Sequence, residues 1–203
     1  MVFVFDLDDT ICDTDAYSEY YINKFIKDNK LPFKQVAKVV RFAEKKFDWD
    51  LETALNWYKQ YGDKMMLEFP AKPNAIKLIN ALYDMGHKII ISTARANDWH
   101  TNPEEVTYKW LENNNLKYNK IYIGRNDKEK ICEQEHANVF IDDDIKITGN
   151  VAEHFNNKNF KCTAFLMSTD YNKTLQSSHN VKRIDSFKDF ANKLKEFGIN
   201  INL

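Results

Sequence analysis

A short apolar run at the start of the chain ends in two carboxylates, and this feature most constrains what the chain can fold into. Val2–Phe5 predicts a buried strand, and Asp6 and Asp8 follow it directly. Side chains two residues apart lie on the same side of a strand, so both carboxylates would face one way at its carboxyl end. Like charges held that close repel, and burying them is costly. A divalent cation or a reaction at phosphorus would offset that cost.

Four further apolar runs predict the remaining strands of a parallel sheet, with helical patterns between them. The predicted strands are Val2–Phe5, Lys88–Ser92, Ile121–Ile123, Val139–Ile141 and Cys162–Leu166. The predicted helices are Lys72–Met85, Pro103–Asn115, Asp127–His136, Gly149–Asn157 and Ser186–Phe197. This alternation predicts an α/β fold with a doubly wound, Rossmann-like parallel sheet and right-handed crossovers.

The stretch between the first two predicted strands breaks the alternation. Helical patterns cover Ala16–Lys30, Phe33–Lys46 and Leu51–Leu67, and no convincing strand pattern separates them. We therefore predict an α/β core domain of residues 1–14 and 70–203 and a small α-helical cap domain of residues 15–69. An insertion at this point lies over the carboxyl ends of the strands, where such sheets bind their ligands.

Charge and cysteine content narrow the function classes. The chain has 203 residues and a formal net charge of −1, so it has no basic field to attract a long nucleic acid, and a small ligand is favoured. No apolar run is long enough to span a membrane. Cys12, Cys132 and Cys162 match neither a zinc spacing nor a disulfide framework. We expect a cytoplasmic protein with no membrane partner.

Chemically useful side chains recur at the predicted carboxyl ends of the strands or at the helix starts that follow. They are Asp6 and Asp8, then Ser92-Thr93-Ala94-Arg95, then Lys128, and finally Asp142-Asp143-Asp144. Together they supply a nucleophile, a hydroxyl donor, a cation and oxygen ligands for a metal. Phosphoryl transfer is mostly positioning and charge neutralisation, and this set provides both. Each element alone is typical of a turn, a cap or a surface residue, and it is their joint order that favours a Mg2+-dependent phosphoryl site.

This order of motifs resembles the haloacid dehalogenase-like (HAD) superfamily of Mg2+-dependent phosphatases. The four family motifs correspond to Asp6-Leu7-Asp8-Asp9-Thr10, the Thr93 region, Lys128 and Asp142-Asp143. The predicted insertion corresponds to the C1-type cap of that family. Finer details resemble the 5'(3')-deoxyribonucleotidase branch and its bacterial relatives, among them Asp13, Thr93-Ala94-Arg95 and Thr107-Tyr108-Lys109-Trp110-Leu111.

The resemblance implies a catalytic role for each matched residue. Asp6 would attack phosphorus and form an aspartyl-phosphate, and Asp8 would act first as general acid and then as general base. Thr93 would bind a phosphoryl oxygen, with Ser92 as the alternative. Lys128 would neutralise the phosphate and restrain the nucleophile, with Lys130 as a less favoured rival.

The resemblance also implies a metal site. Mg2+ would be held by Asp6, by the backbone carbonyl of Asp8 and by a carboxylate of the fourth motif. Asp143 is favoured for that carboxylate, with Asp142 close behind. Ser92 and Arg95 of the second motif are expected to contact the substrate.

Aromatic residues crowd the predicted cap. They are Tyr17, Tyr20, Tyr21, Phe25, Phe42, Phe47, Trp49, Trp57, Tyr58 and Tyr61. Most must form the cap's own core, because a helix needs a buried face. Phe47 and Trp49 lie in a predicted loop and are the candidates for stacking on a base or sugar. His100, beside Trp99, is a candidate to approach the substrate, but an ordinary surface histidine is the favoured expectation.

The implied function is hydrolysis of a small phosphomonoester, with a (deoxy)nucleoside monophosphate as the expected substrate and Mg2+ as the cofactor. Three alternatives stay open: a polynucleotide 3'-phosphatase, a noncatalytic nucleotide- or phosphate-sensing module, and a sugar phosphomutase. The missing basic stripe argues against the first, and the presence of both Asp6 and Asp8 argues against the second. Base and sugar preference, 5' or 3' position, physiological role and a homo-oligomeric state are left undetermined.

Overall fold

Parallel strands in a single sheet form the centre of the computed structural model, which describes residues 1–37, 43–156, 158–178 and 180–203. The strands are β1 (Val2–Phe5), β2 (Lys88–Thr93), β3 (Lys120–Ile123), β4 (Val139–Asp142), β5 (Thr163–Met167) and β6 (Val181–Ile184). The helices are α1 (Thr14–Asp28), α2 (Ala43–Phe47), α3 (Leu51–Glu68), α4 (Ala75–Asp84), α5 (Pro103–Asn113), α6 (Lys128–Gln134), α7 (Ile145–Asn156) and α8 (Phe187–Leu194).

The sheet is buried on both faces, which explains why its central strands are continuous apolar runs. Alternate residues of β1 enter two separate hydrophobic clusters. Phe3 and Phe5 pack with residues of α4 and α8 on one face. Val4 packs with Ile90 and with residues of α6 and α7 on the other. The predicted α/β fold class, a doubly wound parallel sheet with an inserted set of helices, is confirmed.

The strand order places the acidic motifs side by side. The order is β3-β2-β1-β4-β5-β6, so the crossovers run in opposite directions on the two sides of the β1/β4 pair. A crevice opens at the carboxyl ends of strands where the order reverses in this way. Phe5 of β1 is in register with Ile141 of β4, and the Asp6 amide donates to the Ile141 carbonyl at 2.9 Å. The acids that follow β1 therefore lie beside those that end β4.

Two local predictions differ from the structure. The sequence pattern missed the edge strand β6, because only its first and last residues are buried and its middle residues, Lys182 and Arg183, are polar. Of the helix predicted over Phe33–Lys46, residues 33–37 are not helical and residues 43–46 belong to α2. The rest of that prediction, with Phe42, lies outside the described residues, as does Asn157 at the end of a predicted helix.

Helices α1, α2 and α3 lie between β1 and β2, and the segments that enter and leave them pair with each other. Cys12 and Ala71 form an antiparallel bridge. The Asp13 amide donates to the Pro70 carbonyl, and the Lys72 amide to the Ile11 carbonyl, both at 2.8 Å. The predicted domain boundaries fall beside these two paired segments. The division into two domains stays a prediction. No helix in the described part of the chain is long and apolar enough to cross a membrane.

Glu135, which follows α6, is a buried carboxylate that ties this helix to two strands. It accepts hydrogen bonds from Lys88 Nζ at 2.7 Å, from Lys120 Nζ at 2.6 Å and from the Tyr122 hydroxyl. Burial by itself would raise the pKa of Glu135, but the hydrogen bonds from Lys120, Lys88 and Tyr122 lower it to about 2. The cluster therefore stabilises the fold at neutral pH.

We predict that Glu135→Gln lowers the free energy of unfolding at pH 7 by about 2 kcal/mol. This value is smaller than the pKa shift alone would give, because Lys88 and Lys120 are partly exposed and solvent screens their charges. Since the folded pKa lies below the unfolded one, the contribution of Glu135 is present above about pH 4.5 and is lost as the pH falls toward 2. Urea unfolding at pH 7 and at pH 3 measures both effects. Glu133→Gln, which removes a more exposed carboxylate, is the control. Equal losses in the two variants would contradict the prediction.

Candidate active site

Three buried carboxylates from the first and fourth motifs converge at the carboxyl edge of the sheet. One carboxylate oxygen from each of Asp6, Asp142 and Asp143 lies within 4.8 Å of the others. The backbone explains the meeting, because Asp6 directly follows β1 and Asp142 ends the neighbouring strand β4. Closely spaced carboxylate oxygens are the ligands that Mg2+ prefers. The donor set therefore fits a divalent cation.

Lys128, the first residue of α6, is completely buried and points into this cluster. Its Nζ donates to Asp6 Oδ1 at 2.5 Å and to the Ser92 carbonyl at 2.5 Å, and it lies 3.4 Å from Asp142 Oδ2. Burial would lower the pKa of Lys128, but the charges of Asp6 and Asp142 outweigh it and raise that pKa above its usual value. The ammonium therefore stays charged. Lys130, the rival candidate, is exposed to solvent.

Asp143 is held by Thr10 of the first motif and by two residues that the sequence analysis did not identify, Tyr171 and Asn172. Thr10 Oγ1 donates to Asp143 Oδ1 at 3.2 Å, and the Tyr171 hydroxyl donates to Oδ2. Asn172 Nδ2 donates to the Asp143 carbonyl at 2.7 Å. Tyr171 and Asn172 lie in the segment after β5, and no motif marks them. Only the adjacency of β4 and β5 brings them to Asp143.

Asp144 starts α7. Its Oδ1 accepts from the amides of Lys146 at 2.8 Å and Ile147 at 3.0 Å, which satisfies unpaired donors of the first helical turn. Its own amide donates to Asp142 Oδ1 at 2.8 Å. Asp144 therefore helps to fix the direction of the Asp142 carboxylate.

Asp8 forms a forked ion pair with Arg95. Arg95 Nε donates to Asp8 Oδ2 at 2.8 Å and Nη2 donates to Oδ1 at 2.7 Å. Arg95 Nη1 donates to Thr107 Oγ1 on α5 at 3.2 Å. Burial would lower the pKa of Arg95, but the Asp8 charge and hydrogen bonds outweigh it and raise that pKa, so the guanidinium stays charged. Arg95 thus orients Asp8, and because it also lines the cavity over this edge, its expected contact with substrate stays a prediction.

Ser92 and Thr93, the two hydroxyls of the second motif, are both buried. The Ser92 carbonyl accepts from Lys128, and Ser92 Oγ has no hydrogen-bond partner among the described residues. Thr93 Oγ1 accepts from the Arg95 amide at 3.3 Å. Both hydroxyls are therefore placed beside the side chains of the cluster, and which of them binds a phosphoryl oxygen stays a prediction.

A cavity of about 1090 Å³ lies over the cluster, between the sheet edge and the inserted helices. Its floor includes Asp6, Asp8 and Lys128, and its wall includes Tyr58 from α3 and His100 from the segment after β2. The volume is that of a site for a small organic molecule. The arrangement joins a carboxylate cluster, a buried cation and an aromatic wall in one chamber.

Phe47 and Trp49, predicted to stack on substrate, are not among the described residues that line this cavity. Phe47 ends α2 rather than lying in a loop. It stacks on Trp49 with ring centroids 5.5 Å apart, and Trp49 packs against Phe25 and Trp57. The structure therefore puts both rings into the core of the insertion, because packing against other aromatics removes more of their apolar surface from water.

Comparison with known proteins identifies the fold. No family model and no curated protein matches this sequence. A haloacid dehalogenase-like hydrolase from Streptococcus pneumoniae covers 95% of this chain and 97% of its own, with a TM-score of 0.64 and 12% identity. The chain has the HAD-like fold. A HAD hydrolase from Bacillus subtilis bound to magnesium matches over 96% of this chain and 98% of its own, with a TM-score of 0.63 and 15% identity.

A third HAD-like structure was solved with ligands at its site. D,D-heptose 1,7-bisphosphate phosphatase from B. bronchiseptica, complexed with magnesium and phosphate, covers 97% of this chain and 98% of its own. Its TM-score is 0.55 and its identity is 11%. At such identities the likeness establishes the fold of this chain, and the chemistry has to be argued from its own residues.

We predict that Asp142→Asn and Asp143→Asn each weaken Mg2+ binding by about tenfold or more, because each removes a charged oxygen from the cluster. Isothermal titration calorimetry with MgCl2 measures the affinity. Asp144→Asn is the matched control, because asparagine caps a helix as well as aspartate does and the carboxylate cluster stays intact. Wild-type affinity in both cluster variants would contradict a metal site at this point.

Proposed function

We propose that this protein is a Mg2+-dependent phosphomonoester hydrolase that works through an aspartyl-phosphate on Asp6. The observation that carries the proposal is the meeting of the Asp6, Asp142 and Asp143 carboxylates, with the buried ammonium of Lys128 against Asp6 and Asp142, at the floor of a cavity. A nucleophile, a cation and metal ligands at one point are the parts that phosphoryl transfer requires.

Asp6 is the nucleophile in this proposal. Its carboxylate attacks phosphorus, an Asp6 O–P bond forms, and the ester P–O bond of the substrate breaks. Lys128, which donates to Asp6 Oδ1, holds the carboxylate in place and balances charge on the phosphoryl oxygens. Asp6, Asp142, Asp143 and the Asp8 carbonyl would hold Mg2+, which would supply positive charge to neutralise the phosphoryl group.

Asp8 moves the protons. Its carboxylate, which is paired with Arg95 in this structure, first takes up a proton from water and then gives it to the leaving alkoxide in the first step. In the second step it takes a proton from the water that attacks the aspartyl-phosphate, which releases inorganic phosphate and restores the Asp6 carboxylate. Arg95, which itself donates to Thr107, holds Asp8 at the cavity floor, where this exchange would take place.

A (deoxy)nucleoside monophosphate is the proposed substrate. Tyr58 and Trp99 line the cavity with ring centroids 5.3 Å apart, and they replace Phe47 and Trp49 as candidates for contact with a base or sugar. The formal net charge of −1 favours a small anion over a long polyanion. The inserted helices, proposed as a cap over residues 15–69, bound the cavity and would restrict a long strand.

We predict Mg2+-dependent release of phosphate from a nucleoside 5'- or 3'-monophosphate in a malachite green assay. Sugar phosphates, among them a heptose bisphosphate, and a 3'-phosphorylated oligonucleotide complete the panel and test the alternatives. Asp6→Asn should abolish turnover, and Asp8→Asn should abolish it without loss of Mg2+ binding. Nucleotide binding without turnover in the wild type would favour the sensing module, and no hydrolysis of any phosphomonoester would refute the proposal.

We predict that Arg95→Lys lowers kcat by about 10- to 100-fold and leaves Mg2+ affinity near the wild-type value, because a lysine keeps the charge but cannot hold both oxygens of Asp8. Steady-state kinetics on the best substrate of the panel measures this. Arg125→Lys is the matched control, since Arg125 forms the same forked pair with Asp127 at the surface. Equal kcat in the two variants would show that the Asp8 fork has no catalytic importance.

A further inference from the structure

His100 lies in the cavity wall, although the sequence favoured an ordinary surface position for it. It is half-buried in the segment between β2 and α5 and lines the cavity together with Trp99. The same segment is fastened to α3, because the Asp63 carboxylate accepts from the amides of Thr101 at 3.1 Å and Asn102 at 3.0 Å. The position of His100 is therefore fixed by the inserted helices as well as by the sheet.

Gly62 of α3 determines which edge of the His100 ring faces the cavity. A Cβ at position 62 would lie 2.7 Å from His100 Nδ1, so only glycine allows this approach. His100 Nδ1 is buried against the helix and has no hydrogen-bond partner among the described residues. The ring edge that lines the cavity is therefore the one that carries Nε2.

The same contact selects the tautomer. A proton on Nδ1 would be a buried donor without an acceptor, which is costlier than a bare ring nitrogen at that place. Burial lowers the pKa of His100, with Asp8 raising it and Arg95 lowering it to smaller extents, so the ring is neutral at pH 7. The Tyr58 ring packs against it edge to face, with centroids 5.6 Å apart. The neutral ring thus presents an Nε2–H donor.

The position of the donor indicates which part of a substrate it meets. Lys128 and the acidic cluster occupy the floor, where the phosphoryl group would lie. His100 belongs to the wall and is close enough to Asp8 to be influenced by its charge. Asp8 is the group proposed to protonate the leaving oxygen, so the wall beside it borders the alcohol half of the substrate.

We propose that His100 is a specificity-determining residue whose Nε2–H donates a hydrogen bond to a sugar oxygen of the alcohol half of the substrate. This inference rests on the proposed phosphomonoesterase function. The hydrogen bond from His100 favours phosphorylated sugars and nucleosides over simple aryl phosphates, which carry no oxygen at that position. Gly62 and Tyr58 act on this selection through the orientation of the His100 ring.

The test compares kcat/KM for thymidine 5'-monophosphate with kcat/KM for phenyl phosphate. We expect the ratio of the two to fall about tenfold in His100→Phe, the size expected for one lost neutral hydrogen bond. His100→Gln should restore the ratio, because its amide nitrogen reaches the Nε2 position, and His100→Asn should not, because its amide reaches only the Nδ1 position. His136→Asn, at an exposed histidine elsewhere, should keep the wild-type ratio.

Gly62→Ala provides a second, independent variant. Its methyl group would displace the ring, so the ratio should fall in the same direction as in His100→Phe, and the double variant should show no further fall. Circular dichroism checks that each variant is folded. If the losses in the kcat/KM ratio are additive in the double variant, residue 62 does not act through His100 and the proposal is overturned.

The outcomes separate the two proposals. A wild-type protein that hydrolyses phenyl phosphate at least as efficiently as thymidine 5'-monophosphate, or a His100→Phe variant with an unaltered ratio, overturns the role of His100 and leaves the hydrolase standing. A wild-type protein that hydrolyses neither ester refutes the hydrolase, and the inference falls with it.

Discussion

The buried ammonium of Lys128 is the interaction on which the rest of the site depends. It contacts the Asp6 carboxylate after β1, the Ser92 carbonyl near the end of β2 and the Asp142 carboxylate at the end of β4. These groups are far apart in the sequence. Carboxylates this close and this buried would repel without a cation among them. The start of α6 is therefore held at the sheet edge by charge as well as by its apolar contacts with the sheet.

Around this centre, the side chains that orient the acids come from different elements. Arg95 holds Asp8 and is itself held by Thr107 of α5. Asp143 accepts hydrogen bonds from the hydroxyl of Thr10 in the turn after β1 and from that of Tyr171 in the segment after β5. Asp8 and Asp143 are thus positioned by residues in the segments that follow β1, β2 and β5. Such support keeps the polar groups satisfied and limits their rotation, which a site for phosphoryl transfer requires.

The inserted helices shape the substrate end of the cavity. Helix α3 approaches the segment after β2 closely because residue 62 is a glycine. The Asp63 carboxylate accepts hydrogen bonds from the amides of Thr101 and Asn102, just before α5. Most of the aromatic residues of the insertion pack against one another, as helices with a single apolar face must. Tyr58 reaches the cavity where α3 contacts that segment, and its ring packs there against Trp99.

The sequence by itself determined the fold class and the acidic centre of this protein. Continuous apolar runs indicate strands buried on both faces, and chemically active residues directly after such strands must meet where parallel strands end together. This reasoning brought Asp6, Asp142 and Asp143 to one edge of the sheet, and Lys128 reaches them from the start of α6, while the catalytic and metal-binding roles of these residues stay predictions. It missed β6, because an edge strand buries too few residues to leave an apolar run.

Only the tertiary structure decided which side chains support and surround that centre. Tyr171 and Asn172 carry no motif, Arg95 forms a fork with Asp8 as well as lining the cavity, and Phe47 and Trp49 pack in the core of the insertion. The physical reason is that periodicity and motifs report the burial of a residue along its own strand or helix. Which residue of a distant element it meets depends on how those elements pack, and here that packing follows from the strand order and from the approach of α3 to the sheet edge.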